Sequence, residues 1–152
     1  GGHFVLLGDP KEATLLEYHM AAGLLLEARD PMPSTWRASG HGLVIDPETT
    51  DRTLVTCMFE ELSSICHAAE TFSRGLEILA LDEEIRYVVV NPTALGDLAQ
   101  FVARARELRP DLVLIGHAAP GGLHAVAAAG IERRIAKPWN VGDFVALLVG
   151  SS

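Results

Sequence analysis

Arg133-Arg134-Ile135-Ala136-Lys137-Pro138-Trp139 is the stretch from which the fold can be read. It has the form of a short buried strand ending in Lys-Pro, with a helix start just beyond at Asn140. Pro138 has no N–H and biases Lys137 toward extended geometry, so the strand stops there. Lys137 is thereby presented at the carboxyl edge of a sheet, where open α/β sheets build their sites. Working back along the chain, three more strands end at polar residues: Asp46, Asn91 and His117. Four strand ends converge on one crevice.

The segments between these ends alternate regularly. Gly42 to Ile45 is a continuous apolar run suited to a strand covered on both faces. Thr49 and Thr50 are N-cap candidates for a helix whose stripe is Leu54, Val55, Met58, Phe59 and Leu62. A short strand over Ser64 to Ala68 and a helix over Thr71 to Leu81 follow. Asp82-Glu83-Glu84 is a solvated turn before the strand Tyr87 to Val90. Gly96 to Leu108 is helical, with Leu98, Phe101, Val102 and Leu108 inward and Arg104, Arg106 and Arg109 outward. Leu112 to Ile115 is a strand, Pro120-Gly121-Gly122 a break, and Leu123 to Ala129 a short helix that Gly130 closes in a left-handed cap. The last strand covers Ile131 to Ala136 and the last helix Val141 to Val149. Five rounds of strand then helix predict an α/β fold. Its sheet is parallel, five-stranded and doubly wound, with right-handed crossovers and helices on both faces.

The first 40 residues stand apart. His3 to Leu7 has strand character. Lys11 to Arg29 has a helical stripe of Leu15, Leu16, Met20 and Leu24, started by Asp9-Pro10. Pro31 to Gly40 reads as a Pro/Ser/Gly-rich linker carrying Trp36. The expected organisation is an N-terminal extension over residues 1–40, either a packed extension or a helix for homodimerisation or docking, and a main domain over 41–152. The chain opens Gly1-Gly2-His3 rather than with Met, which suggests a piece of a larger protein.

Composition narrows the function classes. A chain of 152 residues with 49% hydrophobic residues buries a proper core. No apolar run reaches membrane-spanning length. The net charge of −8 argues against direct DNA binding, which needs clustered cations. Two cysteines, Cys57 and Cys66, give neither a disulfide framework nor a zinc spacing, and point to a reducing cytoplasm. Lys11 and Lys137 are the only lysines against ten arginines.

With Asp46, Asn91, His117 and Lys137 at successive strand ends, the stretch from His41 to Val149 resembles the receiver domain of bacterial response regulators. The most specific pieces are Leu43-Val44-Ile45-Asp46 before a helix, Ala128-Ala129-Gly130-Ile131, and Lys137-Pro138-Trp139. The resemblance implies a five-stranded flavodoxin-like sheet in which two acidic residues after the first strand hold Mg2+. An Asp after the third strand takes a phosphoryl group from a histidine kinase. A Ser/Thr after the fourth strand and the Lys of Lys-Pro bind its oxygens, an aromatic on the fifth strand reports the switch, and the Lys-Pro bond is cis. Carried over, Asp46 and Lys137 match. Pro47 replaces the second acid, Asn91 the phosphoacceptor, His117 the Ser/Thr and Arg134 the aromatic.

These replacements predict a degenerate phosphoacceptor pocket. An amide carbonyl is neutral and its nitrogen lone pair is delocalised, so Asn91 forms no acyl phosphate. Mg2+ prefers anionic oxygen ligands. Asp46 alone beside Lys137 makes a simple ion pair, and His117 is placed to bridge Asn91 and Asp46. The crevice has no nucleophile beside a base, so neither a catalytic residue nor a cofactor is expected. His67, His117 and His124 lack acidic or Cys partners at ligand spacing, which argues against a metal. Ala119-Pro120-Gly121-Gly122 lacks the following Lys of an anion cradle. Arg133 and Arg134 beside Trp139 combine anion recognition with a stacking surface. That combination suits an acidic protein partner or, by the same resemblance, a cyclic dinucleotide such as cyclic di-GMP. The expected function is a pseudo-receiver of a two-component phosphorelay protein. It would dock a histidine kinase, an output domain or another neighbour without aspartyl phosphorylation. A nucleotide-sensing receiver and an atypical phosphorylatable receiver are the alternatives.

Overall fold

A computed structural model describes residues 38–149. The expected N-terminal strand, helix and dimerisation element lie outside the described residues. From His41 on, strand and helix alternate: β1 (His41–Ile45), α1 (Thr49–Glu61), β2 (Cys66–Ala69), α2 (Phe72–Leu81), β3 (Ile85–Val90), α3 (Leu98–Leu108), β4 (Val113–Ala118), a 3-10 turn (Pro120–Gly122), α4 (Leu123–Ala128), β5 (Arg133–Ala136) and α5 (Val141–Val149). All pairings are parallel, in the order β2-β1-β3-β4-β5. This is the doubly wound five-stranded architecture the alternation predicts.

The inner strands β1, β3 and β4 are largely apolar on both faces because each face meets helices. Leu43, Ile45, Val88, Val90 and Leu114 join Phe72, Leu79, Phe101, Val102 and Val126 in one core. Val44, Tyr87, Val89 and Ile115 join Val55, Met58, Phe59, Phe144 and Leu148 in the other. Alternation along the strands thus sends neighbouring residues to opposite layers, with α2, α3 and α4 on one side and α1 and α5 on the other.

Several boundaries differ from the sequence reading. The N-cap of α1 is Glu48, with Thr49 already helical and no side-chain cap bond. Asp46 satisfies the N–H of the cap residue itself, because its Oδ1 accepts the Glu48 N–H at 2.9 Å. Thr71 caps α2 by accepting the Arg74 N–H, and Asp97 caps α3 from Gln100. Asn140 starts α5 reciprocally: its Oδ1 accepts the Asp143 N–H while its Nδ2 donates to the Asp143 carboxylate. β4 runs on through Gly116 and His117, whereas β5 begins only at Arg133. Leu108 is 48% exposed, so the α3 stripe loses its cover in the last turn. Arg109 is turned inward rather than outward and donates to the Leu79 and Ile85 carbonyls. Gly130 takes the left-handed conformation, with φ +88°, and the Lys137–Pro138 bond is cis.

Candidate functional site

The carboxyl ends of β1, β3, β4 and β5 bring Asp46, Asn91, His117 and Lys137 to one edge of the sheet. Asp46 and His117 have no exposed surface, and Asn91 is 5% exposed. Sheet pairing sets their positions: the Asp46 N–H donates to Ala69, the Asn91 N–H to Ile45 and the Lys137 N–H to Ala118.

Lys137 is the hub. Its Nζ donates to Asp46 Oδ2 at 2.9 Å and to Asp51 Oδ2 at 2.6 Å. The expected simple ion pair is therefore a lysine held by two carboxylates. Asp51 escaped the sequence reading because it lies on α1 rather than at a strand end. Its only signal is an acid in a helical first turn that follows a strand ending in Asp. Burial lowers the lysine's affinity for its proton, but the hydrogen bonds it donates to Asp51 and Asp46 and their negative charges outweigh this and raise its pKa. Arg52, on the next position of α1, donates to the Asp46 carbonyl at 2.7 Å and lies 3.3 Å from Glu70. Pro47, where the resemblance expects a second acid, is exposed and carries the chain into α1.

His117 does not bridge Asn91 and Asp46. Its Nε2 accepts the indole N–H of Trp139 at 2.5 Å. The ring is thereby the neutral Nδ1–H tautomer, with Nδ1 3.6 Å from Asp46 Oδ2 and no hydrogen-bond partner. Burial first, and then the Lys137 charge, push its pKa down to about 4, against a smaller upward pull from Asp46 and Asp51. Trp139 packs against Phe144 with ring centres 4.4 Å apart and planes tilted by 52°, and is half-buried. It is committed to this pocket and is not an open stacking surface.

Asn91 is turned back on its own loop. Its Oδ1 accepts the Thr93 N–H at 2.9 Å and lies 2.8 Å from the Thr93 hydroxyl. Arg133 and Arg134 are adjacent on edge strand β5, so they point to opposite faces and cannot form one anion fork. Arg134 is exposed, whereas Arg133 is half-buried and engaged. Of the cysteines, Cys66 is an inert thiol: burial pushes its pKa up to about 12.

At the opposite edge of the sheet, pairing brings His41, His67 and Asp82 together. Spacing along the chain gives no sign of this cluster. These three residues are far apart in sequence and meet because β1 pairs with both β2 and β3.

No protein-family model matches this sequence. No curated protein matches it either. The fold is nonetheless similar to solved receiver domains. The signal receiver domain of an HD domain-containing protein from Pseudomonas fluorescens Pf-5 superposes with a TM-score of 0.66 at 19% identity, covering 78% of this chain and 90% of that one. A response regulator receiver domain protein from Clostridium thermocellum gives 0.66 at 19% identity over 74% and 93%. NtrX from Brucella abortus gives 0.65 at 19% identity, covering 74% of this chain and 27% of NtrX.

Proposed function

We propose that this chain is a pseudo-receiver, a non-enzymatic signalling module of a two-component protein that works by docking rather than by accepting a phosphoryl group. The observation that carries this reading is the state of Asn91. It stands at the end of β3, where a phosphoacceptor would stand, and its amide oxygen is taken up by Thr93. An amide in that place offers no anionic oxygen to attack a phosphoryl donor. The other groups support the same reading. Lys137, which would bind phosphoryl oxygens, is neutralised by Asp46 and Asp51. His117 replaces a hydroxyl and is locked to Trp139. Apart from Nδ1 of His117, the polar groups of the pocket are engaged with one another or with their own loop. Docking to a neighbouring domain or kinase would use the surface of α4, β5 and α5, where Arg134 is exposed.

The test is incubation with acetyl phosphate and Mg2+, read by intact mass, beside an amide-correlation NMR titration with Mg2+ and then beryllofluoride. The expected result is no phosphoryl adduct and no saturable shifts at Asp46, Asn91 or Lys137. An adduct, or saturable shifts spreading from the pocket to Arg134, would show that the site still switches. One observation favours that second reading, an atypical phosphorylatable receiver: Asp51 brings a second carboxylate beside Asp46, so a divalent cation competing with Lys137 would find two anionic ligands.

A further inference from the structure

The edge of the sheet opposite the Asp46–Lys137 pocket carries a second constellation that the signalling reading does not use. His41 is the first residue of β1, His67 lies in β2, and Asp82 follows α2 directly, in the turn that leads to β3. His41 Nδ1 and His67 Nε2 each lie 2.7 Å from the same Asp82 oxygen, Oδ2. The three ligand atoms all lie within 4.8 Å of one another. We propose that His41, His67 and Asp82 form a binding site for a first-row divalent metal of the Zn2+ class.

The donor set selects the metal. Two imidazole nitrogens and one carboxylate oxygen are ligands for Zn2+ and its neighbours, whereas Mg2+ and Ca2+ take oxygen almost exclusively. Tetrahedral Zn2+ with bonds near 2.0–2.2 Å sets its ligands about 3.3 Å apart. The His–Asp contacts at 2.7 Å need to open by only about half an ångström, within reach of a side-chain rotation.

The surroundings are those of a built site. The other nitrogen of His41, Nε2, faces the Glu84 carboxylate at 3.4 Å. A carboxylate on the far ring nitrogen is the arrangement that orients a metal-binding His and raises its basicity. The second oxygen of Asp82 accepts the Glu84 N–H at 2.9 Å, which leaves Oδ2 aimed at the two rings. The ligands are also preorganised by backbone. The His41 N–H donates to the Glu84 carbonyl, the Ile85 N–H donates to Asp82, and Leu43 pairs with His67 in the sheet register. Exposure of 20% for His41, 37% for His67 and 21% for Asp82 gives an ion a way in and leaves a fourth position toward solvent. Glu83 and Glu84 follow Asp82 directly and add acidic charge beside the ligands, while Arg86 and Arg109 share a neighbouring pocket with them.

A bound ion would clip the starts of β1, β2 and β3 together, and by mass action it would stabilise the folded chain. The test is a ZnCl2 titration of the full chain at neutral pH by calorimetry, with parallel imidazole 15N NMR of the unsubstituted protein. The expected result is saturable binding accompanied by shifts of His41 Nδ1 and His67 Nε2, with His124 unmoved. His67→Ala and Glu84→Gln should each weaken that binding at least tenfold, while His124→Gln should leave it unchanged. Co2+ in place of Zn2+ should give tetrahedral visible absorption that His67→Ala abolishes. Unmoved His41 and His67 resonances at millimolar Zn2+ would overturn the proposal whatever the variants do. So would calorimetric affinity that survives His67→Ala.

Discussion

Asp46 has no exposed surface at all, and its carboxylate is met in the interior by two donors, the Glu48 N–H and Lys137 Nζ. Removing one partner of such a pair leaves a buried charge without compensation, which costs about 3–5 kcal/mol. Lys137→Met keeps the stem and removes the charge, so urea unfolding at pH 7 should show a loss of about that size. Asp51→Asn should cost much less, about 1 kcal/mol, because Asp51 is 27% exposed and the lysine keeps Asp46. Equal losses in the two variants would show that the lysine, not the buried carboxylate, is the group in need. The residues at strand ends were legible in the sequence because an apolar run followed by a polar residue marks its own edge. Asp51 and the Trp139–His117 bond were not legible. The first depends on α1 beginning at Thr49, and the second on a contact across 22 positions that no spacing rule anticipates.

At the scale of elements, glycine sets how closely helices lie on the sheet. A Cβ at Gly116 in β4 would stand 2.1 Å from a methyl of Val126, so α4 packs against bare backbone there. Gly116→Ala should therefore overpack this contact and cost about 1–3 kcal/mol in denaturant unfolding. Val126→Ala alone should also destabilise, since Val126 is fully buried. The two substitutions occupy the same space, so the double variant should lose clearly less than the sum of the singles. Strict additivity would mean that α4 simply shifts away. Gly75 of α2 plays the same part beneath Ile45, where an added Cβ would meet its Cδ1 at 2.3 Å. These close approaches explain which boundaries the sequence hid. Gly116 looks like the end of a strand, yet it continues β4 with pairing to Val90 and Arg134. Ile131 looks like the start of β5 but is a buried loop residue, with pairing delayed to Arg133. Apolar periodicity identified the order of the elements because every layer must be covered. It could not identify where hydrogen-bond pairing begins, because burial and pairing end at different residues.

Taken as a whole, the molecule is a sheet with a polar cluster at each edge, and the two clusters respond to acid in different windows. Burial pulls the Asp82 carboxyl upward, but the hydrogen bonds from His41, the Glu84 N–H and His67 outweigh it and hold its pKa at about 2. Its contribution is present above the ordinary carboxylate value of 3.8 and is lost as pH falls from there toward 2. His117 acts earlier. Its pKa falls from 6.5 in the unfolded chain to about 4 in the folded one. Between those values the unfolded chain binds a proton that the folded chain refuses, so acid favours unfolding across that window. Above pH 6.5 the ring is neutral in both states and carries no penalty; below pH 4 the penalty is complete, at about 3 kcal/mol. His117→Phe keeps an aromatic ring against Trp139 and Phe144 and removes the titration. It leaves the indole N–H of Trp139 without its acceptor, but that cost does not vary with pH. Urea midpoints measured from pH 7 to 4 should therefore fall more steeply for the unsubstituted chain than for His117→Phe, with the two curves converging as pH drops. Parallel curves would mean that His117 takes up its proton inside the folded chain, which requires Nε2 to become a donor and the Trp139 bond to break.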